Sequence, residues 1–209
     1  MDFSDYKPHY LIKTKYIKPD ITSHLIPRRH LTEKLNRALT SKVLFVSAPA
    51  GYGKSTAVLE WLNSGSLRSA WVSLDNRDND AQAFWMYVCH ALGDFDASII
   101  SDTGYALSSH ELFEANIHLS ILLDKISGAI SDVFLVLDDF HTITDPHLSE
   151  DIAYFVNYLP PNMHLIIISR SEPDMRLVHL EMEGQLARIT TEDLRFRHTR
   201  SGSSMRNAD

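Results

Sequence analysis

A glycine-rich run with a lysine and two hydroxyl side chains carries the clearest chemistry in this sequence. Residues 48–56 read Ala-Pro-Ala-Gly-Tyr-Gly-Lys-Ser-Thr. Gly51 and Gly53 let the backbone turn so that its N–H groups surround an anion, and a helix beginning near Lys54 adds its positive dipole end. The lysine supplies a charge for the β and γ phosphates, and the hydroxyl of Ser55 can bind Mg²⁺. This predicts a P-loop that binds ATP or ADP with Mg²⁺. The predicted nucleotide ligands are Ala50, Gly51, Tyr52, Gly53, Lys54, Ser55 and Thr56.

Position 48 departs from the P-loop pattern G-x-x-x-x-G-K-[S/T]. Ala48 stands where the pattern has its first glycine. A Cβ is tolerated there if φ stays negative, so the departure does not exclude nucleotide binding. The alternative interpretation is a chance glycine turn before a helix. A buried strand before the run and an acidic motif after it argue against that alternative.

Two adjacent aspartates form the acidic motif. Residues 133–137 read Val-Phe-Leu-Val-Leu and lead directly into Asp138 and Asp139. A hydrophobic strand that ends in two carboxylates matches the Walker B pattern, so we assign Asp138 to Mg²⁺ and Asp139 to activation of the attacking water. The alternative is a solvated turn at the end of a strand. It is the weaker interpretation, because ligands bind at the carboxyl edge of parallel sheets.

Four short apolar runs alternate with segments of helical periodicity. The runs cover residues 43–47, 70–74, 133–137 and 164–169, and none alternates polar with apolar residues. Each therefore reads as a strand that is buried on both faces. Strands that alternate with helices predict βαβ crossovers. We expect an α/β P-loop NTPase fold, a three-layer sandwich with a mainly parallel sheet and an additional strand between the Walker A and Walker B strands.

The predicted helices have recognisable limits. Asp145 is placed to cap the helix after the acidic motif, Pro146 suits its first position, and Pro160 stops it. Residues 94–110 are rich in Ser, Asp and Gly and predict a surface loop. The predicted helices lie around residues 31–39, 57–62, 84–92, 119–130 and 146–159.

Arg170 follows the last apolar run. With an additional strand between the two motifs, the strand over residues 164–169 is expected to lie between the P-loop strand and the acidic strand. Arg170 would then emerge beside the γ phosphate, where a guanidinium can sense it, so we treat it as a second catalytic candidate beside Asp139. A surface arginine at a strand end stays open as the alternative.

Composition limits the classes of protein that this chain can belong to. Its 209 residues contain 20 Lys+Arg and 27 Asp+Glu, a net charge of −7, with 44% hydrophobic residues. These values describe a globular chain, and the net acidity argues against direct contact with nucleic acid by this chain. No apolar run approaches the ~20 residues of a membrane span. The charged N-terminus and the single cysteine, Cys89, predict a cytoplasmic location without membrane contact.

The order of several motifs is similar to that in the N-terminal nucleotide-binding domain of MalT-like regulators, which belong to the large LuxR group of STAND signalling NTPases. The resemblance runs from about residue 10 to residue 196. The matching stretches are Thr14-Lys15, residues 25–28 with Leu31, and residues 46–55, 71–75, 78–80, 135–139, 159–160, 164–170, 184–186 and 194–196.

This resemblance implies an ATP/ADP switch that hydrolyses ATP slowly. Such proteins are inactive with ADP, and with ATP plus an inducer they self-associate and activate transcription. The segment before the P-loop closes over adenine, which here indicates Pro27 and Arg28, although a solvated basic pair at Arg28 and Arg29 is the plain alternative. The resemblance also implies that residues 1–40, with a helix, contribute to the adenine site and that residues 41–196 form the NTPase domain. Residues 197–209 have almost nothing to bury, which predicts a disordered tail.

Three questions stay open from the sequence. The family continues beyond the position of residue 196 into winged-helix, sensor and DNA-binding domains, so a truncation or a frameshift is expected there, and this chain would lack its own DNA-binding domain. A small phosphotransferase and an inactive remnant are the alternative functions, and weak ATPase activity of the chain itself is undecided.

Residues 78–80 are expected to cap a helix rather than to bind a ligand, and His141 is assigned to the loop after the acidic motif.

Overall fold

The computed structural model describes residues 11–20, 28–101, 115–129, 131–173, 175 and 177–195. Pro27, Ile130 and the predicted tail over 197–209 lie outside these residues. The strands are β1 (Val43–Ser47), β2 (Ser69–Ser73), β3 (Val133–Asp138), β4 (Met163–Ser169) and β5 (Leu186–Ile189). The helices are α1 (Arg29–Arg37), α2 (Lys54–Ser64), α3 (Ala81–Gly93), α4 (Ala115–Ala129), α5 (Pro146–Asn157), α6 (Val178–Met182) and α7 (Thr191–Leu194). Within these residues, 3₁₀ turns cover Lys13–Lys15, Ala38–Thr40, Asn76–Asn79 and Phe140–Thr142.

All five strands form one parallel sheet in the order β2-β3-β4-β1-β5. Strand β4 lies between β1 and β3, as the additional strand β2 predicted. Val46 pairs with Ile168, and Leu135 pairs with Leu165. The carboxyl ends of β1, β3 and β4 therefore meet at one edge, which brings the glycine run, the paired aspartates and Arg170 together.

Alternating strand residues face two separate layers of helices. Val43 and Phe45 pack with α3, α4 and α5 on one face, while Leu44 and Val46 pack with α1 and α2 on the other. This period of two in fully apolar strands confirms the predicted three-layer α/β sandwich.

Capping side chains fix where two helices begin. The Asp145 carboxylate accepts a hydrogen bond from Leu148 N at 2.8 Å, with Pro146 in the first turn, as predicted. Asp80 caps α3 in the same way, accepting from Ala83 N at 2.8 Å. These caps satisfy amides that the first helical turn would otherwise leave without partners.

The prediction of a surface loop over residues 94–110 is wrong for its first part. Residues 97–101 are helical, and Ile99 is fully buried against the α3 side of the core. The loop prediction relied on the polar residues of this stretch and did not take account of its two adjacent isoleucines, Ile99 and Ile100. Residues 102–110 lie outside the described part of the chain. Strand β5 and helices α6 and α7 were not predicted, because each has only four or five residues and shows no clear period.

Within the described residues, no helix is both long enough and apolar enough to cross a membrane.

Candidate nucleotide-binding site

The glycine run forms a tight loop between β1 and α2. Gly51 has a φ of +83° and Gly53 a φ of +70°, and Gly53 is the left-handed N-cap of α2, which begins at Lys54. Only glycine adopts these conformations without steric cost. Ala48 keeps a φ outside the positive range and is buried, and its N–H donates to Ser169 O at 3.4 Å. The missing first glycine therefore leaves the loop conformation intact.

The Lys54 side chain folds back across this loop. Its Nζ donates to Pro49 O at 3.2 Å, and the residue is 9% exposed. Burial lowers the pKa of Lys54, the charges of Asp139 and Asp138 oppose that shift, and the charge of Arg170 adds to it. A buried ammonium held by one carbonyl is a position from which a phosphate oxygen can capture it.

Ser55 and Asp138 are brought together by the first turn of α2 and the end of β3. Ser55 Oγ donates to Asp138 Oδ1 at 2.9 Å, and the same oxygen accepts from Asp139 N at 2.9 Å. Burial raises the pKa of Asp138, and the hydrogen bond from Ser55 counteracts part of that rise. A hydroxyl and a carboxylate oxygen side by side below a phosphate loop are ligands that suit Mg²⁺.

Asp139 differs from its neighbour in both exposure and backbone conformation. Its side chain is 59% exposed, and its φ of +56° lies in the left-handed region. Among the described residues only Ser66 and Asp139 combine a side chain with positive φ. This conformation costs about 1 kcal/mol in a residue other than glycine. It turns the two carboxylates apart, one into the sheet edge and one towards solvent.

His141 was treated as an ordinary loop residue, but the structure places it within the site. Its Nδ1 is 3.8 Å from Asp139 Oδ1 and is buried without a hydrogen-bond partner. Burial lowers the pKa of His141, and the positive charges of Arg170 and Lys54 lower it further. The sequence signal that could have revealed this residue is its position two residues after the second aspartate, on the 3₁₀ turn that Asp139 caps.

Arg170 lies at the edge that the strand order predicted for it. It directly follows β4, is exposed, and influences electrostatically both Lys54 and His141. The strand order thus brings Arg170 to the same group of side chains as Lys54 and the paired aspartates.

Arg28 covers the loop from the side of the N-terminal segment. A Cβ built at Gly53 would lie 3.1 Å from Arg28 Nη2, so the guanidinium lies directly against the loop. Arg28 Nη1 also donates to Leu194 O at 2.9 Å, which links the segment before α1 to α7. Lys34 and Asp193 add a contact at 2.6 Å between α1 itself and α7. Arg28 is therefore no solvated surface arginine, and Pro27 lies outside the described residues.

Of residues 78–80, Asp80 caps α3 as predicted, and Asp75 caps the 3₁₀ turn before it. Asp75 accepts from Arg77 N at 2.8 Å. No feature of the sequence indicated, however, that Asn79 donates to the loop after Asp139 or that Lys15 forms ion pairs with Asp75 and Asp78.

A parallel sheet in this strand order, with a glycine loop leading from β1 into a helix and a paired-aspartate strand separated from β1 by β4, defines the fold of a P-loop NTPase. The fold is similar to that of Cdc6p from Pyrobaculum aerophilum, with a TM-score of 0.50 and 15% identity over 90% of this chain and 49% of that one. The Walker-type ATPase paby2304 of Pyrococcus abyssi gives a TM-score of 0.47 at 13% identity, covering 80% of this chain and 53% of that one.

The sequence is similar to that of MalT over most of this chain, which confirms the resemblance in its motifs. It is 29% identical over 194 residues to the HTH-type transcriptional regulator MalT of Cronobacter sakazakii (strain ATCC BAA-894), a match that covers 90% of this chain. The chain spans 21% of the length of that relative. No family model matches the sequence.

Proposed function

We propose that this chain is a regulatory ATPase module in which bound ATP and bound ADP correspond to two signalling states. The observation that carries the proposal is the contact of 2.9 Å between Ser55 Oγ and Asp138 Oδ1, directly below a loop with the backbone conformation of a phosphate cradle. MalT is a transcriptional regulator by name, and its likeness supports a regulatory rather than a metabolic use of the nucleotide.

The residues of the site divide into binding and catalytic groups. The loop amides and Lys54 would hold the phosphates, and Ser55 with Asp138 would hold Mg²⁺, which would neutralise charge on the β and γ phosphates. Asp139 is exposed and can accept a proton from the attacking water. Arg170 would pair with the γ phosphate and release it after hydrolysis. Pro27 and Arg28 are proposed to cover the adenine end of the nucleotide.

Self-association in the ATP state and a role in transcription are the wider parts of the proposal. They rest on the similarity to MalT alone, because no residue of the described site bears on self-association or transcription. The proposed role needs no direct contact between this chain and nucleic acid or membrane, and it belongs to the cytoplasm.

Nucleotide titration with the Lys54→Ala variant tests the binding half of the proposal. Removal of a charge-assisted contact of about 1.5 to 3 kcal/mol is expected to weaken binding of a fluorescent ADP or ATP analogue about 10- to 100-fold. Lys42→Ala is the matched control, since Lys42 immediately precedes β1 at the opposite end of the strand from the loop. Equal affinities of the Lys54→Ala variant and wild type would refute nucleotide binding at this loop.

Release of inorganic phosphate tests the second half. Slow release without any added acceptor supports a switch, whereas turnover that requires a metabolite would support a phosphotransferase. A chain that binds nucleotide without any turnover would limit the function to binding.

A further inference from the structure

A carboxamide on the turn after β2 contacts the loop that follows Asp139. Asn79 ends the 3₁₀ turn Asn76–Asn79, which follows β2, and it is half-buried. Its side chain faces the loop that leads from Asp139 to the start of α5. No motif of the phosphate loop or the acidic strand includes this residue.

Asn79 uses both ends of its amide on that loop. Its Nδ2 donates to Thr142 O at 2.9 Å. Its Oδ1 accepts from Thr144 N at 2.7 Å and from Asp145 N at 2.9 Å. Three backbone groups within four consecutive residues are thus fixed by one side chain, which ties the exit of the loop to the turn after β2.

The bonded loop is the one that sets the position of Asp139. Thr142 donates to Asp139 O twice, from N at 3.0 Å and from Oγ1 at 2.9 Å. Asp139 has the left-handed backbone described above, a conformation that persists only where its surroundings hold it. His141 lies between these two anchored residues. Loss of the Asn79 contacts would therefore allow Asp139 and His141 to move while β3 and Asp138 stay in place.

The turn that carries Asn79 is itself held from the amino-terminal segment. Asp78 is 2% exposed, accepts from Asp75 N at 2.7 Å and pairs with Lys15. The Lys15 ammonium also pairs with Asp75 at 3.1 Å and lies 4.9 Å from the centre of the Tyr87 ring. Ile12 N donates to the Tyr87 hydroxyl at 3.2 Å, which fixes the same segment to α3.

We propose that Asn79 is a positioning residue for Asp139. Because Lys15 holds Asp78 on the same turn, the geometry of the loop over residues 139–145 also depends on how residues 12–16 pack against that turn. This inference deepens the proposed function and rests on it. The contact with the amino-terminal segment is then expected to affect the rate of hydrolysis and to leave the affinity for nucleotide unchanged. In the described part of the chain, the hydrogen bonds of Asn79 go to Asn76, Thr142, Thr144 and Asp145, none of which is a proposed ligand of the nucleotide.

The first test compares Asn79→Ala with Asn76→Ala, an exposed asparagine on the same turn. We expect Asn79→Ala to lower kcat for ATP hydrolysis about 10-fold or more, since small misplacements of a reacting group are costly, with nucleotide affinity within twofold of wild type. Asn76→Ala is expected to keep both values. An unchanged kcat in Asn79→Ala, or equal losses of kcat and affinity, would overturn the proposal.

Asn79→Asp separates the two ends of the amide. It keeps an acceptor for the amides of Thr144 and Asp145 and loses the donor to Thr142 O, so its kcat is expected to lie between those of wild type and Asn79→Ala. If Asn79→Ala fails to fold, this variant decides: a lower kcat at unchanged affinity supports the proposal, and a wild-type kcat overturns it.

Hydrogen exchange keeps the inference distinct from the proposed function. If wild type hydrolyses no ATP, the hydrolytic part of that function fails, but amide exchange over residues 140–145 still decides the positioning claim. Faster exchange there in Asn79→Ala than in Asn76→Ala supports it, and equal exchange overturns it.

The Lys15 contact is tested by Lys15→Met beside Lys13→Met, an exposed lysine on the same 3₁₀ turn. Lys15→Met is expected to lower kcat several-fold and to speed exchange over residues 140–145. If it behaves like Lys13→Met, the link from the amino-terminal segment is refuted.

Discussion

Ser55 Oγ donates a hydrogen bond to Asp138 Oδ1 at 2.9 Å, although 83 positions separate the two residues in the sequence. The contact exists because β3 and β1 flank β4 in one parallel sheet, so that the end of β3 reaches the first turn of α2. The two sequence motifs of the site thus meet directly. The Ser55 hydroxyl and the Asp138 carboxylate are close enough for one divalent cation to bind both oxygens in place of the hydrogen bond between them.

Substitution of Asp139 is expected to separate binding from turnover. Asn keeps the size of the side chain and tolerates left-handed φ, but it cannot accept the proton of the attacking water. Asp139→Asn should bind nucleotide as wild type does and hydrolyse ATP about 100-fold more slowly. Single-turnover phosphate release measures the effect, with Asp132→Asn, an exposed aspartate just before β3, as the control. Wild-type turnover in Asp139→Asn would remove Asp139 from the catalytic role.

Substitution of Asp138 is expected to stabilise the nucleotide-free protein at neutral pH. Burial raises the folded-state pKa of Asp138 above its value in the unfolded chain. The folded protein therefore binds this proton more tightly, and stability falls as pH rises from the unfolded towards the folded pKa. Asp138→Asn removes that penalty and can still accept the hydrogen bond from Ser55. Its melting temperature should exceed that of wild type at pH 7.

The pH dependence of stability and the response of nucleotide affinity to Mg²⁺ should also differ between Asp138→Asn and wild type. The stability difference should shrink at pH values below the ordinary aspartate range, where wild type is protonated in both states. Mg²⁺ should increase nucleotide affinity in wild type only, because an amide is a poorer ligand than a carboxylate. A variant that is less stable at pH 7, or that keeps the Mg²⁺ effect, would contradict this account of Asp138.

A methyl group at Gly53 is expected to disturb the loop in two ways. The φ of +70° disfavours any Cβ, and Arg28 Nη2 lies 3.1 Å from where that Cβ would be. Gly53→Ala should lower the free energy of unfolding by about 1 to 2 kcal/mol and weaken nucleotide binding. Gly128→Ala is the matched control, because Gly128 lies in α4 with open space around its Cβ position and should gain about 0.5 to 1 kcal/mol. Urea denaturation of both variants measures these values.

Removal of Arg28 tests whether the segment before α1 contributes to nucleotide affinity. Arg28→Ala loses the bond to Leu194 O and the guanidinium over Gly53, so nucleotide affinity should fall about 10-fold and exchange over α7 should speed up. Arg29→Ala, at an exposed neighbouring position, should change neither. Faster exchange in Arg28→Ala with wild-type affinity would make Arg28 a structural tie between α1 and α7 alone.

The sequence pattern predicted strands β1 to β4 and the two motifs well, because both depend on local residue types. Residues 43–47 are β1 as predicted, and β4 begins one residue before the predicted run. The central position of β4 followed from the additional strand, so the placement of Arg170 at the motif edge could also be inferred. Each of these features is set by a run of apolar residues or by glycine.

The contacts that the sequence could not predict join side chains across long separations. Asn79 to the loop at Thr142, Lys15 to Asp78 and Arg28 to Leu194 each depend on how two loops pack, and no local period encodes that packing. His141 was missed for a related reason, since a histidine three residues after a strand is ordinary until the electrostatic influence of Lys54 and Arg170 on it is known.

The left-handed backbone at Asp139 also bears on how such a chain would evolve. Glycine and asparagine relieve that conformation at lower cost than most residues, so mutation under selection for folding alone would tend to arrive at one of them. Such variants would keep the phosphate loop and lose the carboxylate that is proposed to act in hydrolysis. With the proposed role of Asp139 in hydrolysis, such variants would bind ATP and fail to convert it to ADP.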